Sequence, residues 1–599
     1  MTRAAGAGAE RGDRQPPAEP RRWRPWDLCG YALLAGLLCG AALASPQHRL
    51  VGAGADPIQR LWFLAWLPFA AGHHLSPLVT TYLDHPLRVN LMWNNATPLL
   101  GLLAWPVTSA VGPVVAYDLL MALALTLSAW TASLVCARYV RHHLPAAVAG
   151  LLYGFSPYMV AEAAGGHLPL VAAVTPPLLL ALLDEICVRQ RRPPAGLGLG
   201  LGLVCCAQLL LGEELLTTGL LVACLTLLLL AFGAPRRAVR QARRAAPALA
   251  VASLTAIAGS AVPLLTQLGG PGRLTGASLQ PAGVFVTDLA NLVVPTRLLV
   301  LAPHAAVALS SRFTAGLGES GAYLGLPLLA ALAAAVALRR RERWTWLLLA
   351  VTAAVLVASL GPVLHVAGRS TRIALPWRLL EGLPLLRNVL PARLVLFAFL
   401  GAALLLALGL DRVQERRPGR VGVALAAAVA LLALVPLLPR TLPSSPAVVP
   451  AFFRSRAVDR LAQGSVVAVA PVPTIRDARA MLWQVASGMR FQMPWGYVIH
   501  RTRDGAAQEN RLSPPLARAL VTIEFGGRPS RAGAIRPAIA QELRREQVGW
   551  VVVGPMAHEG RAATYVSAAL GERPRRIAGI DLWRVGPGAV RRTGPGAAG

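Results

Sequence analysis

Apolar residues follow one another along most of this chain in long uninterrupted blocks, separated by short stretches where arginine, proline and glycine collect. Blocks of roughly 17–25 residues that are apolar all round match helices that cross a bilayer. The first is 28–44. Ten more lie at about 114–136, 145–163, 168–186, 196–212, 215–233, 246–266, 322–338, 344–364, 392–410 and 421–438, which together predict about eleven crossings. The stretch 97–113 is short and holds Pro98, Pro106 and Pro113, so it reads as a re-entrant or interfacial helix. Gly196 to Gly202 alternates Gly and Leu inside an apolar block, a pattern for close helix packing rather than a nucleotide loop.

Two regions break the pattern. After the first block, Ile58, Leu61, Trp62, Ala65, Trp66 and Phe69 recur at helical spacing, which predicts an amphipathic helix on the membrane surface with its tryptophans at headgroup depth. Beyond the proline-rich linker 441–450, short apolar runs at 465–470, 549–553 and 580–585 predict buried strands, with a helical pattern at 534–547. The predicted fold is a mainly α, polytopic membrane domain (27–440) followed by a small extracytoplasmic α/β domain (451–588). The ends, 1–26 and 589–599, read as disordered tails, the first of them cytoplasmic.

Composition and charge sharpen this picture. The 599 residues are 55% hydrophobic and 14% charged, with a mean hydropathy of +0.53; a soluble protein carries roughly 25% charged residues. A net charge of +30 would suit nucleic acid, but the basic residues are all arginine and sit in clusters between apolar blocks. Arg138/Arg141, Arg189/Arg191/Arg192, Arg236 to Arg244, Arg339 to Arg343 and Arg412 to Arg420 all fall inside if the first helix runs outward. The same alternation puts the N-terminus in the cytoplasm. It places 47–96, 267–320, 365–391 and everything after 439 outside. The seven cysteines lie in or beside apolar blocks, which argues for packing and against a disulfide framework.

Candidate chemistry lies on the outer side, where acids are scarce. Asp56, ahead of Pro57, opens the amphipathic helix; it caps that helix, acts as a catalytic base, or does both. Asp118 lies one turn inside a block, and Glu213 and Glu214 join two blocks; carboxylates at such depth are functional candidates, and adjacent residues on a helix point different ways. Glu162 and His167 share a short outer turn, and Glu319 lies in a later outer loop. His73, His74 and His85 have spacing too weak for structural zinc, while a divalent cation on carboxylate oxygens is compatible with the acids. Arg387 and Arg393 flank a span mouth on the side where arginine is sparse; they bind a phosphate or snorkel to headgroups.

These pieces resemble, in order and placement, the GT-C superfamily of integral-membrane glycosyltransferases, in a divergent actinobacterial branch, and also multi-pass proteins of lipoteichoic-acid glycosylation. The pieces are Asp56 to Gln59, Leu152 to Pro157, Gly166-His167-Leu168, Gly212-Glu213-Glu214, Gly318-Glu319 with Tyr323-Leu324-Gly325, and Leu386-Arg387 to Ala392-Arg393. The resemblance implies an inverting enzyme that moves a sugar from a polyprenyl-phosphate donor to an extracytoplasmic glycan, lipid or protein acceptor. Asp56 is then the base, with Asp118, Glu162, His167, Glu213, Glu214, Glu319, Arg387 and Arg393 around the substrates. Only one acid follows the first helix where the resemblance leads one to expect an acidic pair, so the resemblance does not by itself imply a metal. The alternatives are a lipid or polysaccharide flippase or transporter, which calls for a polar path at the midplane, and a non-catalytic envelope-assembly protein.

Overall fold

The computed structural model describes residues 25–586 apart from 276–279, 281–282, 384–385 and 503. The predicted tail 589–599 and most of the tail 1–26 lie outside the described residues. The chain is mainly helical. Among the described residues eight helices are long and apolar enough to cross a membrane: Pro113–Cys136, His143–Gly165, Leu168–Arg189, Pro194–Leu211, Glu213–Gly233, Pro235–Gly269, Pro391–Arg416 and Arg420–Leu437. Each coincides with one of the predicted blocks. The other three predicted crossings are shorter apolar helices, Pro25–Leu38, Gly325–Leu338 and Arg343–Ser359, and Pro98–Val111 is a fourth. The chain is a multi-pass membrane protein.

Local sequence explains the irregularities. His143–Gly165 is broken at Phe155, where Ser156 accepts a hydrogen bond from the Met159 amide and Pro157 restarts the helix. That is an N-cap followed by proline at the first turn. Pro235–Gly269 begins eleven residues before the predicted apolar block, so Arg236 to Arg244 lie on helix rather than in a loop. The Gly-Leu repeat packs against this helix. A Cβ at Gly198 would run into the Ala248 carbonyl, and one at Gly202 into Thr255 and the Ala252 carbonyl.

The C-terminal residues form a five-stranded sheet in the order 575–577, 580–584, 550–553, 465–470, 491–492. Trp550–Val553 runs parallel to Ser465–Ala470, with Trp550 opposite Val467 and Val553 opposite Ala470. Ile580–Arg584 is antiparallel to Trp550–Val553. The two-residue alternation sends Val466, Ala468, Ala470, Val551 and Val553 into a core with the helices Pro515–Glu524, Ala532–Arg545 and Glu559–Leu570. Val467, Val469 and Val552 face the opposite way, into the core shared with the helix bundle. Both faces are therefore buried, as near-continuous apolar strands require.

The amphipathic helix forms at Asp56–Gly72, but its tryptophans are not at a lipid surface. Trp62 and Trp66 are fully buried and stack at 5.3 Å. Trp62 Nε1 donates to Gln484 Oε1 at 2.6 Å, on the helix Arg479–Ala486. The apolar face is covered by the C-terminal residues, which replace the lipid that the pattern alone suggested. A second tie joins Arg49–Val51 to Ser444–Pro446 as a small antiparallel sheet.

Candidate active site

Asp56 is the first residue of its helix, with Ala55 as the N-cap and no side-chain capping hydrogen bond. Its carboxylate turns elsewhere. Tyr497 Oη donates to Asp56 Oδ1 at 3.2 Å, and His167 Nε2 lies 3.8 Å from Oδ2. Capping is thus not its role. The approach of His167 depends on Gly166, which adopts φ +81° and packs on Pro57; a Cβ there would lie 2.5 Å from Pro57 Cγ. Only glycine meets both demands.

From His167 a continuous chain of charges leads away from Asp56. His167 Nδ1 lies 2.6 Å from Glu162 Oε2 and 3.8 Å from Glu319 Oε1. Arg393 Nη2 donates to Glu319 Oε1 at 2.5 Å, with Nε 3.0 and 3.2 Å from the two oxygens. Arg393 Nη1 donates to Glu214 Oε2. The contributing residues come from ends of different helices: the start of 56–72, the turn after 157–165, the start of 213–233, the loop before 325–338 and the start of 391–416. Acids in the first turn of 213–233 also complement its helix dipole.

Burial opposes charge throughout, and the network offsets it. Burial alone would raise the Asp56 carboxyl, but His167, Arg60 and the Tyr497 hydroxyl hold it below its ordinary range. Glu319 is likewise held low against burial, by Arg393 and His167. For His167 burial disfavours the cation, yet bonds to Asp56 and Glu162 push it up to about 10. Glu509, on the hairpin strand Ala507–Glu509, is raised to about 7 by burial and by the Asp56 charge.

Glu162, His167 and Glu319 each offer one ligand atom, all within 4.8 Å of one another. Glu162 Oε1 is buried without a hydrogen-bond partner. This hard, mainly oxygen set fits a divalent cation, for which His167 must first shed its proton.

The remaining candidates are placed apart. Glu213 bonds to Gln267 Nε2 at 2.5 Å and so points away from Glu214, as neighbours on a helix must. Asp118 is buried and accepts from the Val51 amide at 2.8 Å, behind the cluster. Arg387 is exposed and among the described residues makes no side-chain hydrogen bond or ion pair. Sequence reading missed Arg60, Tyr497 and Glu509. Arg60 carries a signal, since it is an arginine one helical turn from Asp56. Tyr497 and Glu509 have none.

Comparison with known proteins accords with this architecture. The chain is similar to the arabinofuranosyltransferase AftD from Mycobacteria, with 17% identity and a TM-score of 0.52 over 95% of this chain and 40% of that one. It thus spans about two-fifths of that protein's length. Weaker likenesses are the Archaeoglobus fulgidus oligosaccharyltransferase in its apo form (13% identity, TM-score 0.44, 92% of this chain and 72% of that one) and ArnT from Cupriavidus metallidurans bound to undecaprenyl phosphate (12%, 0.46, 94% and 98%). No curated protein matches the chain. Residues 28–435 match the domain of unknown function DUF6311. The chain therefore belongs to the DUF6311 family, and its fold is similar to that of AftD.

Proposed function

We propose that this protein is an inverting membrane glycosyltransferase that moves a sugar from a polyprenyl-phosphate donor to a glycan, lipid or protein acceptor outside the cytoplasm. The observation that carries the reading is the linkage of Asp56 through His167 to Glu162, Glu319, Arg393 and Glu214 at one end of the bundle. A transport path would instead place its polar groups near the midplane.

In this reading Asp56 is the general base. It takes the proton of the acceptor hydroxyl as that oxygen attacks the anomeric carbon, and the sugar–phosphate bond breaks on the opposite face. Tyr497 and His167 fix the two carboxylate oxygens, so the lone pair that accepts the proton has a set direction. Protonated His167 also keeps Asp56 ionised. Arg393 has both ends of its guanidinium on carboxylates, so its part is to hold Glu214 and Glu319 in place.

The test is sugar transfer by membranes holding equal amounts of wild type and Asp56→Asn, supplied with a panel of polyprenyl-phosphate sugars. Asn keeps the size and can still accept from Tyr497, so folding is preserved. Loss of a general base lowers the rate about 10²–10⁴-fold. Transfer by the Asn variant near the wild-type rate would remove Asp56 from the reaction.

A further inference from the structure

The helix Val395–Arg416 begins beside Arg393 of the acidic cluster and ends, at the arginine-rich end of the bundle, beside a cavity of about 490 Å³. Small-molecule sites measure about 300–1,000 Å³. The cavity is lined by His142, Gln414, Gly419, Arg420, Val423 and Ala424. It therefore sits where Val395–Arg416 ends and where His143–Gly154 and Arg420–Leu434 begin. Its lining has two characters. His142, Gln414 and Arg420 are polar or charged, while Val423 and Ala424 are exposed apolar residues of a membrane-spanning helix.

The polar part of the lining offers donors that the chain leaves unused. Gln414 is 5% exposed, and its Nε2 is buried without a hydrogen-bond partner; an unpaired buried donor is unfavourable and calls for an acceptor. Arg420 is exposed, and among the described residues its side chain makes no hydrogen bond or ion pair. His142 Nδ1 lies 2.8 Å from Asp411 Oδ1, and donation to that carboxylate leaves Nε2 for another partner. The first amides of a helix have no partner within it. Gly419, the N-cap of Arg420–Leu434, has no side chain to satisfy them, so the positive end of this helix borders the cavity uncapped.

The nearby carboxylates are committed elsewhere. Asp411 accepts from the Arg141 and His142 amides, each at 2.8 Å, and lies 3.6 Å from Arg339. Glu415 accepts from Arg412 at 2.7 Å and lies 3.5 Å from Arg141. Among the described residues no carboxylate lines the cavity, so the ammonium of a zwitterionic headgroup meets no counter-charge there. An anion with an apolar tail fits both parts of the lining. The donors of Gln414, Arg420 and the helix start take its oxygens, and Val423 and Ala424 take its first methylenes.

We propose that this cavity binds the headgroup phosphate of an anionic phospholipid. The positive-inside rule expects this end of the bundle in the cytoplasmic leaflet, where basic pockets between spanning helices meet anionic headgroups. The site stands independently of the glycosyl-transfer reading, because it lies at the other end of the bundle from Asp56.

Purified protein in detergent is titrated with dioleoylphosphatidylglycerol, with dioleoylphosphatidylcholine and with inorganic phosphate, and the first binding event is read by native mass spectrometry. Wild type binds the anionic lipid about 10-fold or more tightly than the zwitterionic one, as expected for a charged hydrogen bond. In Arg420→Gln this ratio falls toward one. In Gln414→Leu, which removes a neutral donor, it falls about 2–10-fold. In Arg416→Gln, which removes an exposed arginine outside the lining, it stays at the wild-type value. Thermal unfolding without added lipid reports the folding of each variant separately. A ratio unchanged in Arg420→Gln overturns the site. Equal losses in Arg420→Gln and Arg416→Gln identify a diffuse attraction of lipid to the arginine-rich end and also overturn it. A wild type that binds both lipids alike excludes selection of an anionic headgroup. Inorganic phosphate that binds as tightly as the anionic lipid assigns the cavity to free phosphate and overturns the lipid site.

Discussion

His167 joins Asp56 to the rest of the cluster, and its charge state decides whether the cluster holds together. Four carboxylates (Asp56, Glu162, Glu214 and Glu319) meet two cations in the chain of contacts, His167 and Arg393. The His167 pKa is raised from 6.5 to about 10 in the folded chain. A folded pKa above the unfolded one means that the folded state binds the proton more tightly. Its stabilising contribution is complete below about pH 6.5, declines above it and is gone once pH passes about 10. Asp56 and Glu319 have the opposite sign: their depressed values add stability above the ordinary carboxylate range, lost on acidification. Thermal unfolding of the detergent-solubilised protein should therefore show a decline in midpoint from about pH 7 to 10, over the His167 titration. His167→Gln should lower the midpoint at pH 7 and flatten that alkaline decline. An alkaline decline of undiminished slope in His167→Gln would assign it to another group.

The helix Asp56–Gly72 shows what an element's sequence determines and what it leaves open. The spacing of Ile58, Leu61, Trp62 and Trp66 identifies a helix with one apolar face. It says nothing of what covers that face, and lipid and a folded domain are equally apolar. Gln484 decides the matter: it is buried, accepts from Trp62 and donates to the Tyr82 and Phe491 carbonyls at 2.9 and 2.8 Å. Trp62→Phe removes the donor and leaves Gln484 Oε1 unsatisfied in the core, at a cost of about 1–3 kcal/mol. Trp62→Ala adds a cavity and costs about 3–5 kcal/mol. Both should appear as lowered thermal midpoints and as faster proteolytic release of the C-terminal residues. At a lipid surface Trp62→Phe would be close to neutral, so a neutral result places the helix there. The same distinction explains what was legible elsewhere. Long apolar blocks and the alternating run Ser465–Ala470 carry their structure locally. The short helices Pro25–Leu38 and Arg343–Ser359 end earlier than their apolar blocks and Gly325–Leu338 begins later than its own, because apolarity does not mark where backbone helicity starts or stops. Tyr497 acquires meaning only from a contact 441 residues away.

At the scale of the whole molecule, the two ends of the bundle differ in chemistry. Asp56, Glu162, His167, Glu214, Glu319 and Arg393 gather at one end. The arginine clusters at 138–141, 189–192, 236–244, 339–343 and 412–420 occupy the other ends of the same helices. The C-terminal residues are tied to the acidic end. Gln59 Nε2 donates to the Tyr497 carbonyl at 2.7 Å, and Asn94 exchanges two hydrogen bonds with Ile499, at 2.6 and 2.9 Å. One measurement of sidedness for the tail therefore also places the acidic cluster. Arginine-rich loops stay in the cytoplasm because translocating them is disfavoured, so the acidic end and the tail are expected outside, where lipid-linked rather than nucleotide-linked sugars supply the energy for transfer. An alkaline phosphatase reporter fused after Val585 should be active in intact cells, and the same reporter fused after Arg341 should be inactive. The reverse pattern would put the acidic cluster in the cytoplasm, where nucleotide-linked donors are available, and the case for a polyprenyl-phosphate donor would lose its energetic argument. Activity from both fusions would break the alternation of the spans between Arg343 and Leu437, and with it the helix count on which the topology rests.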